Sequence, residues 1–325
     1  MIDWLLEGPP WVQYRTRTDL LKLPEDDPEV LESRDQMLAH PAIQGLISEI
    51  SEWPDPIMKN HKDAAHLLHK LAFIADLGLR VGDPTIDTLV ERILSHRDEC
   101  GPTQLLVNIK PAYGGTGEDQ WAWMLCDAPL GLYALLKFGV REDERVQASA
   151  QHLAGLVREN GWPCAVSPDL GKFRGPGKKA DPCPYANLLM LKALAQLPYQ
   201  GGAAVEVGAE TLLGQWEARR ERRPYLFAMG SDFGRLKAPL IWYDLLHMLD
   251  VLTQFPALHA DPRLAEMLQI LRDKADRDGR FTPESVWLAW KDWDFGQKRQ
   301  PSRWLTLIAQ RTLYRMQSGL TDRLK

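Results

Sequence analysis

Helix-start signals recur along this chain about every 60 residues, and that interval constrains the fold more than any other feature. Asp27-Pro28, Asp83-Pro84, Glu142-Asp143 and Asp261-Pro262 put acidic residues, and in three cases a proline, where a helix N-terminus favours them. From Asp27 to Asp83, Asp143 and Asp261 the steps are 56, 60 and 118 residues, the last being two periods. The absent member falls at Gly201-Gly202, which opens a helical pattern over residues 203–220. Turn signals beyond these helices keep the same beat: Gly101-Pro102, Gly161-Trp162-Pro163 and Gly279-Arg280-Phe281 lie 60 and 118 residues apart.

Each period holds two helices. Residues 85–97, 144–159 and 263–275 alternate apolar and charged positions at helical spacing, the mark of half-exposed outer helices. Residues 12–23, 62–79, 125–138, 185–197, 240–255 and 304–316 carry Leu, Ala and aromatics around more of the circumference and read as inner helices. Apolar runs such as 104–109 are too isolated to seed a sheet. The chain is therefore expected to be all-α, a single domain over residues 1–325. Six inner helices alternating with outer ones form a closed α/α toroid. An open solenoid is the rival, but its repeats of about 34–47 residues are shorter than this period. Loops of about 20 residues, at 102–120, 161–184, 224–239 and 282–302, are expected to gather at one end, and connections that long usually serve function.

Composition narrows the function. Lys and Arg total 39 against 44 Asp and Glu, a net charge of −5, which argues against a nucleic-acid partner. No apolar stretch approaches the roughly 20 residues that span a bilayer, and Met1–Leu6 lacks a basic lead-in, so a cytoplasmic protein is expected. Four cysteines without a Cys-x-x-Cys pair do not make a disulfide scaffold. Twelve tryptophans exceed what core filling needs. Several aromatics stand at the loop-side ends of inner helices, among them Trp121, Trp123, Trp242 and Tyr243. There they plug the ring or line an apolar cavity that stabilises positive charge through cation–π contact.

The repeat turns Asn160-Gly161-Trp162 and Asp278-Gly279-Arg280-Phe281, with this aromatic lining, resemble the squalene cyclase and protein prenyltransferase superfamily. The stretch from Phe173 through Arg174, Lys178, Asp181 and Cys183 to Tyr185 is similar to a segment of the prenyltransferase β subunit, where a Gly/Pro loop with Arg and Lys precedes Asp-x-Cys-Tyr. The resemblance implies that Arg174 and Lys178 hold a prenyl diphosphate. It implies that Asp181 and Cys183 ligate zinc, and that Tyr185 lies against the substrate. The family's third ligand is a His after an aromatic-Tyr pair. Here Trp242-Tyr243-Asp244 stands in that place, with His247 one turn on, so the third position falls to Asp244 or His247. Cys164 is a further candidate ligand. Such β subunits work with a helical partner chain, and the sequence names none.

The cyclase branch protonates an alkene with Asp-x-Asp-Asp, which this chain lacks; Asp292-Trp293-Asp294 is the nearest approach. Asp127, Asp181, Asp244 or Asp294 act as acids where burial holds a proton on them. Histidines 66 and 69 read as core or surface features, because no carboxylate stands at zinc-protease spacing. The expected function is isoprenoid chemistry on a prenyl diphosphate or polyprenoid. Asp181 and Asp244 are the catalytic candidates, Asp181, Cys183 and His247 the metal candidates, and zinc the only cofactor expected. The alternatives are a non-catalytic toroid binding an apolar ligand or a protein, and a carbohydrate-active α/α barrel, which needs two carboxylates about 5–10 Å apart.

Overall fold

A computed structural model describes residues 1–325 except 55, 59, 176–178, 199–201, 222–228, 230, 231 and 322–325. Thirteen α-helices and one two-stranded hairpin lie among the described residues, so the chain is mostly helical. It divides into two compact units, Met1–Ser48 with Gly230–Lys325, and Glu49–Met229.

The first unit contains α1 (Ile2–Leu6), α2 (Pro10–Asp19), α3 (Pro28–Ala39) and most of α4 (Pro41–Ile50). The second contains α5 (Leu67–Leu77), α6 (Ile86–Ser95), α7 (Ala128–Lys137), α8 (Glu144–Gly155), α9 (Pro184–Leu194) and α10 (Ala203–Glu217). The chain then returns to the first unit with α11 (Leu245–Leu252), α12 (Pro262–Arg272) and α13 (Arg303–Thr321).

The division into inner and outer helices is visible in burial. Every residue of α9 and α11 is buried, as are nine of the ten in α7. In α8 only Val146, Ser149, Ala150 and Leu153 are buried, and in α12 only Leu264, Met267, Leu268 and Leu271. That i, i+3, i+4, i+7 stripe belongs to a helix with one wet side. Each fully buried Leu contributes about 1.5–3 kcal/mol, so the Leu-rich, fully buried helices carry most of the cohesion. In the second unit α5 packs on α7 and α7 on α9; in the first, α11 packs on α13 and α13 on α2.

The start signals work as read at three of four positions. Asp27, Asp143 and Asp261 each accept a hydrogen bond from the backbone N–H two residues on, which caps α3, α8 and α12. Asp83 departs from the expectation. Its carboxylate accepts from Arg80 N at 2.8 Å, closing a turn, and α6 starts three residues later behind Thr85. Inner helices begin later than their apolar pattern, because a polar side chain takes a free N–H of the first turn: His66 accepts from Leu68 N before α5 and Asp244 from His247 N before α11.

Two features differ from the sequence reading. Helix α4 carries no charged start signal. The run at 104–109 does form a strand, β1 (Leu105–Asn108), because 119–122 supplies an antiparallel partner, β2 (Asp119–Ala122), with Trp121 opposite Leu106.

The two-period relation extends to tertiary bonds. In the second unit Trp162 N donates to Asn187 Oδ1 at 3.0 Å and Cys183 N to Trp162 O at 2.8 Å. In the first, Phe281 N donates to Thr306 Oγ1 at 2.9 Å and Ser302 N to Phe281 O at 3.0 Å. Each residue of the second set stands 119 positions beyond its counterpart in the first. The same bond thus closes both long loops at the entry of an inner helix.

Candidate functional site

The residues at these helix entries carry the chemistry. The N-caps of α5, α7, α9 and α11 are His66, Asp127, Cys183 and Asp244, and Ser302 precedes α13. The spacing places one polar or nucleophilic side chain at the start of five of the six inner helices, where backbone N–H groups are free; α2 starts instead behind Pro9.

In the second unit three cysteines meet. Cys126 precedes α7, Cys183 caps α9, and Cys164 lies in the loop between α8 and α9. The Cys126 thiol is hydrogen-bonded with the thiols of Cys164 and Cys183, and these contacts together with burial push it well above its ordinary pKa. Tyr185 is fully buried beside Cys126, Asp127 and Cys183, and its hydroxyl is likewise raised, chiefly by burial. Asp127 Oδ1 accepts from Met124 N at 2.9 Å, while Oδ2 has no hydrogen-bond partner among the described residues. Burial pushes this carboxyl up to about 7 against two backbone hydrogen bonds.

Asn187 holds this corner together. Its amide donates to Trp162 O at 2.9 Å and to Cys183 O at 2.8 Å while its Oδ1 accepts from Trp162 N. Gly161 is needed here: its φ is +106°, and a Cβ would overlap Thr211 Oγ1.

The other predicted residues of this unit are spread more widely. Asp181 is half-buried, and the backbone around it bridges Pro163 through Pro182. Arg174 is exposed and turns back on its own loop, its Nη1 donating to Gly171 O at 2.7 Å and Phe173 O at 2.6 Å. Lys178 lies outside the described residues. Trp121 stacks on His96 with ring centres 3.5 Å apart. Trp123 is buried and donates from Nε1 to Asp98 Oδ2 at 3.1 Å. It forms part of a cleft of about 700 Å³ with Arg97, Glu99, His152 and Asp169. Asp98 also accepts from Cys100 N at 2.8 Å, so one oxygen closes the local turn and the other holds Trp123. His66 and His69 are core histidines: their Nε2 atoms meet Pro56 O and His61 O at 2.8 Å, and burial lowers both pKa values, that of His69 to about 3.

The first unit holds Trp242, Tyr243, Asp244 and His247. Asp244 is 1% exposed. Its Oδ1 accepts from His247 N at 3.0 Å, and Oδ2 has no hydrogen-bond partner among the described residues. Burial pushes the carboxyl up to about 7, and the charge of Lys237 pulls it partly back. Lys237 is itself buried, with Nζ 4.5 Å from the centre of the Trp287 ring. Tyr243 packs against Phe233, and Trp242 is half-buried. His247 Nδ1 lies 3.0 Å from Trp242 O. Asp294 accepts from Ser302 Oγ at 2.9 Å and Trp304 N at 3.1 Å, and burial raises it too. Trp290, Trp304 and Trp162 are buried fully, so part of the tryptophan surplus fills cores.

Of the predicted metal set, Asp181 and Cys183 lie in the second unit and His247 in the first. Among the described residues no three His, Cys, Asp or Glu side chains are arranged to hold a metal ion. The arrangement does supply carboxylic acids that stay protonated near neutrality, Asp127 and Asp244, in surroundings that exclude water. Sequence reasoning missed Asn187 and the meeting of Cys126 with Cys164; the paired loop closures 21 residues long, Trp162 to Cys183 and Phe281 to Ser302, were the available signal. Among the described residues no helix is long and apolar enough to cross a membrane. No family model matches the chain, and no curated protein matches it.

Proposed function

We propose that this protein is an enzyme of isoprenoid chemistry acting on a prenyl diphosphate, built as a closed α/α toroid of the terpenoid cyclase and prenyltransferase kind. The ring is supported by the order α5–α7–α9 in one unit, by α11–α13–α2 in the other, and by the packing of the last helix against the first two. The observation that carries the chemistry is Asp244: buried, with a carboxyl oxygen free of hydrogen bonds among the described residues, and protonated up to about pH 7.

An acid with a pKa near the working pH is suited to proton transfer. Asp244 gives its proton to the bridging oxygen of the substrate as the carbon–oxygen bond breaks. Diphosphate then leaves without gaining a further negative charge. The allylic cation left behind is stabilised by the faces of Trp242 and Tyr243, an effect worth about 2 kcal/mol or more where water is excluded. The proposal gives zinc no step.

The test is diphosphate release from geranyl, farnesyl and geranylgeranyl diphosphate, with analysis of the extractable products. Release by the parent protein, reduced by about 10²-fold or more in Asp244→Asn, is expected. A parent protein that releases no diphosphate from any of the three overturns the proposal.

A further inference from the structure

A string of charges runs through the first unit from α2 to α13. Arg15 Nη2 pairs with Asp19 Oδ1 at 2.5 Å on α2, and Asp19 Oδ2 accepts from Arg311 Nη1 at 3.0 Å. Arg311 Nη2 reaches Asp250 Oδ1 on α11 at 2.9 Å, and the same oxygen accepts from Arg315 Nη1 at 3.0 Å. Guanidiniums outnumber carboxylates along this string, and Asp19 and Asp250 are each shared between two of them. A fourth cation joins just past the end of α2. Lys22 Nζ lies 5.6 Å from the ring centre of Tyr314, the residue beside Arg315. Lys22 is held at φ +57°, in the left-handed region that few side chains occupy. Among the described residues no carboxylate forms an ion pair with it.

The string has a buried end and an open end. The side chains of Arg15 and Arg311 are 11% and 10% exposed, that of Arg315 is 24% exposed, and Lys22 is exposed. Hydrogen-bond donors are left over along it. Arg15 Nε is buried with no partner among the described residues. Both hydrogen bonds of Arg315 leave from Nη1, to Asp250 Oδ1 and Asp250 O, so its Nε and Nη2 remain. The like charges also act on one another. Partial burial lowers the Lys22 pKa, Asp19 pulls it back, and the charges of Arg315, Arg15 and Arg311 add to the lowering.

Positive charge held out of water costs free energy unless an anion balances it. Four cations that draw on two carboxylates leave two positive charges, and a phosphate group carries about −1.5 to −2 near neutral pH. The planar fork of a guanidinium matches the oxygens of such a group, and a lysine adds a point charge. We propose that Arg15, Lys22, Arg311 and Arg315 form a binding site for a phosphate group, free or carried by a small molecule. The anion enters between Lys22 and Arg315 and meets the donors that the carboxylates leave open. This inference is independent of the isoprenoid reading.

The test is calorimetric titration of the full chain, in a phosphate-free buffer near neutral pH, with sodium orthophosphate and with glycerol 3-phosphate. Saturable binding of one anion per chain is expected, of orthophosphate where the site takes the free ion and of the ester where it takes a phosphorylated compound. Lys22→Gln and Arg315→Gln should each weaken it about tenfold or more. Lys291→Gln, at an exposed lysine of the same unit, should leave it unchanged. The inference is overturned if the parent protein binds neither anion saturably, or if Lys22→Gln leaves the affinity intact. Lys22 is exposed, so that variant reads the site even where Arg315→Gln does not fold. Because the readout is binding of an anion without a prenyl chain, its failure is distinct from a failure to release diphosphate.

Discussion

Replacing Asp244 with Asn tests the acid at its root. In the folded protein the carboxyl holds its proton up to about pH 7, while an unfolded chain releases it near the ordinary 3.8. Between those values the folded state binds one proton more than the unfolded state, so rising pH removes stability. The slope is about 1.4 kcal/mol per pH unit. From pH 5 to pH 7 this amounts to about 2–3 kcal/mol, and over the full interval to about 4 kcal/mol. The contribution is complete below the unfolded pKa, declines across the window, and is gone above the folded pKa.

Asparagine keeps an oxygen to accept from His247 N, where Asp244 Oδ1 now does at 3.0 Å, and it does not titrate. Urea unfolding of parent and Asp244→Asn, followed by tryptophan fluorescence at several pH values from about 5 to 8, should therefore show the variant gaining about 2–3 kcal/mol on the parent between pH 5 and 7. Asp127 titrates over the same range but is present in both proteins, so it cancels in the difference. A stability difference that does not change with pH refutes the reasoning. A flat difference is also what an Asp244 held ionised by Lys237 in the folded state gives, since neither state then titrates above about pH 5.

Two further outcomes follow from buried polar networks. Asp250 accepts from Arg311 Nη2 at 2.9 Å and Arg315 Nη1 at 3.0 Å on α13, so Asp250→Ala leaves Arg311 to its remaining partner Asp19 and takes the carboxylate from half-buried Arg315, and should cost about 1.5–3 kcal/mol in urea unfolding. A loss below about 1 kcal/mol contradicts the pairing. Asn187→Leu removes three hydrogen bonds at the junction of Trp162 and Cys183 and leaves backbone groups buried without partners; a loss of about 2 kcal/mol or more is expected, with faster amide exchange at Trp162. Unchanged exchange there argues that the loop closes by other contacts.

Much of the fold was legible because it is local. Asp27, Asp143 and Asp261 cap helices using bonds that reach only two residues ahead, so the sequence carries them openly. The apolar rim of α9 and the narrow stripe of α8 likewise state which helix is inner and which is outer. Asp83 misled because the same side chain closes a turn as readily as it caps a helix, and nothing in its neighbours separates the two uses. Strand β1 was unreadable alone, since a strand is defined by its partner, and β2 lies beyond a loop of ten residues.

The candidate site divides in the same way. Sequence by itself determined that Cys183, Tyr185 and Asp244 stand at inner-helix entries one period apart, because periodicity survives without contacts. Only tertiary structure decided that Cys126 meets Cys164 and Cys183, that Asn187 clamps Trp162 to Cys183, and that Asp244 keeps its proton. Those properties depend on register between distant segments and on the removal of water from a carboxyl group. Neither is encoded within reach of the residue itself.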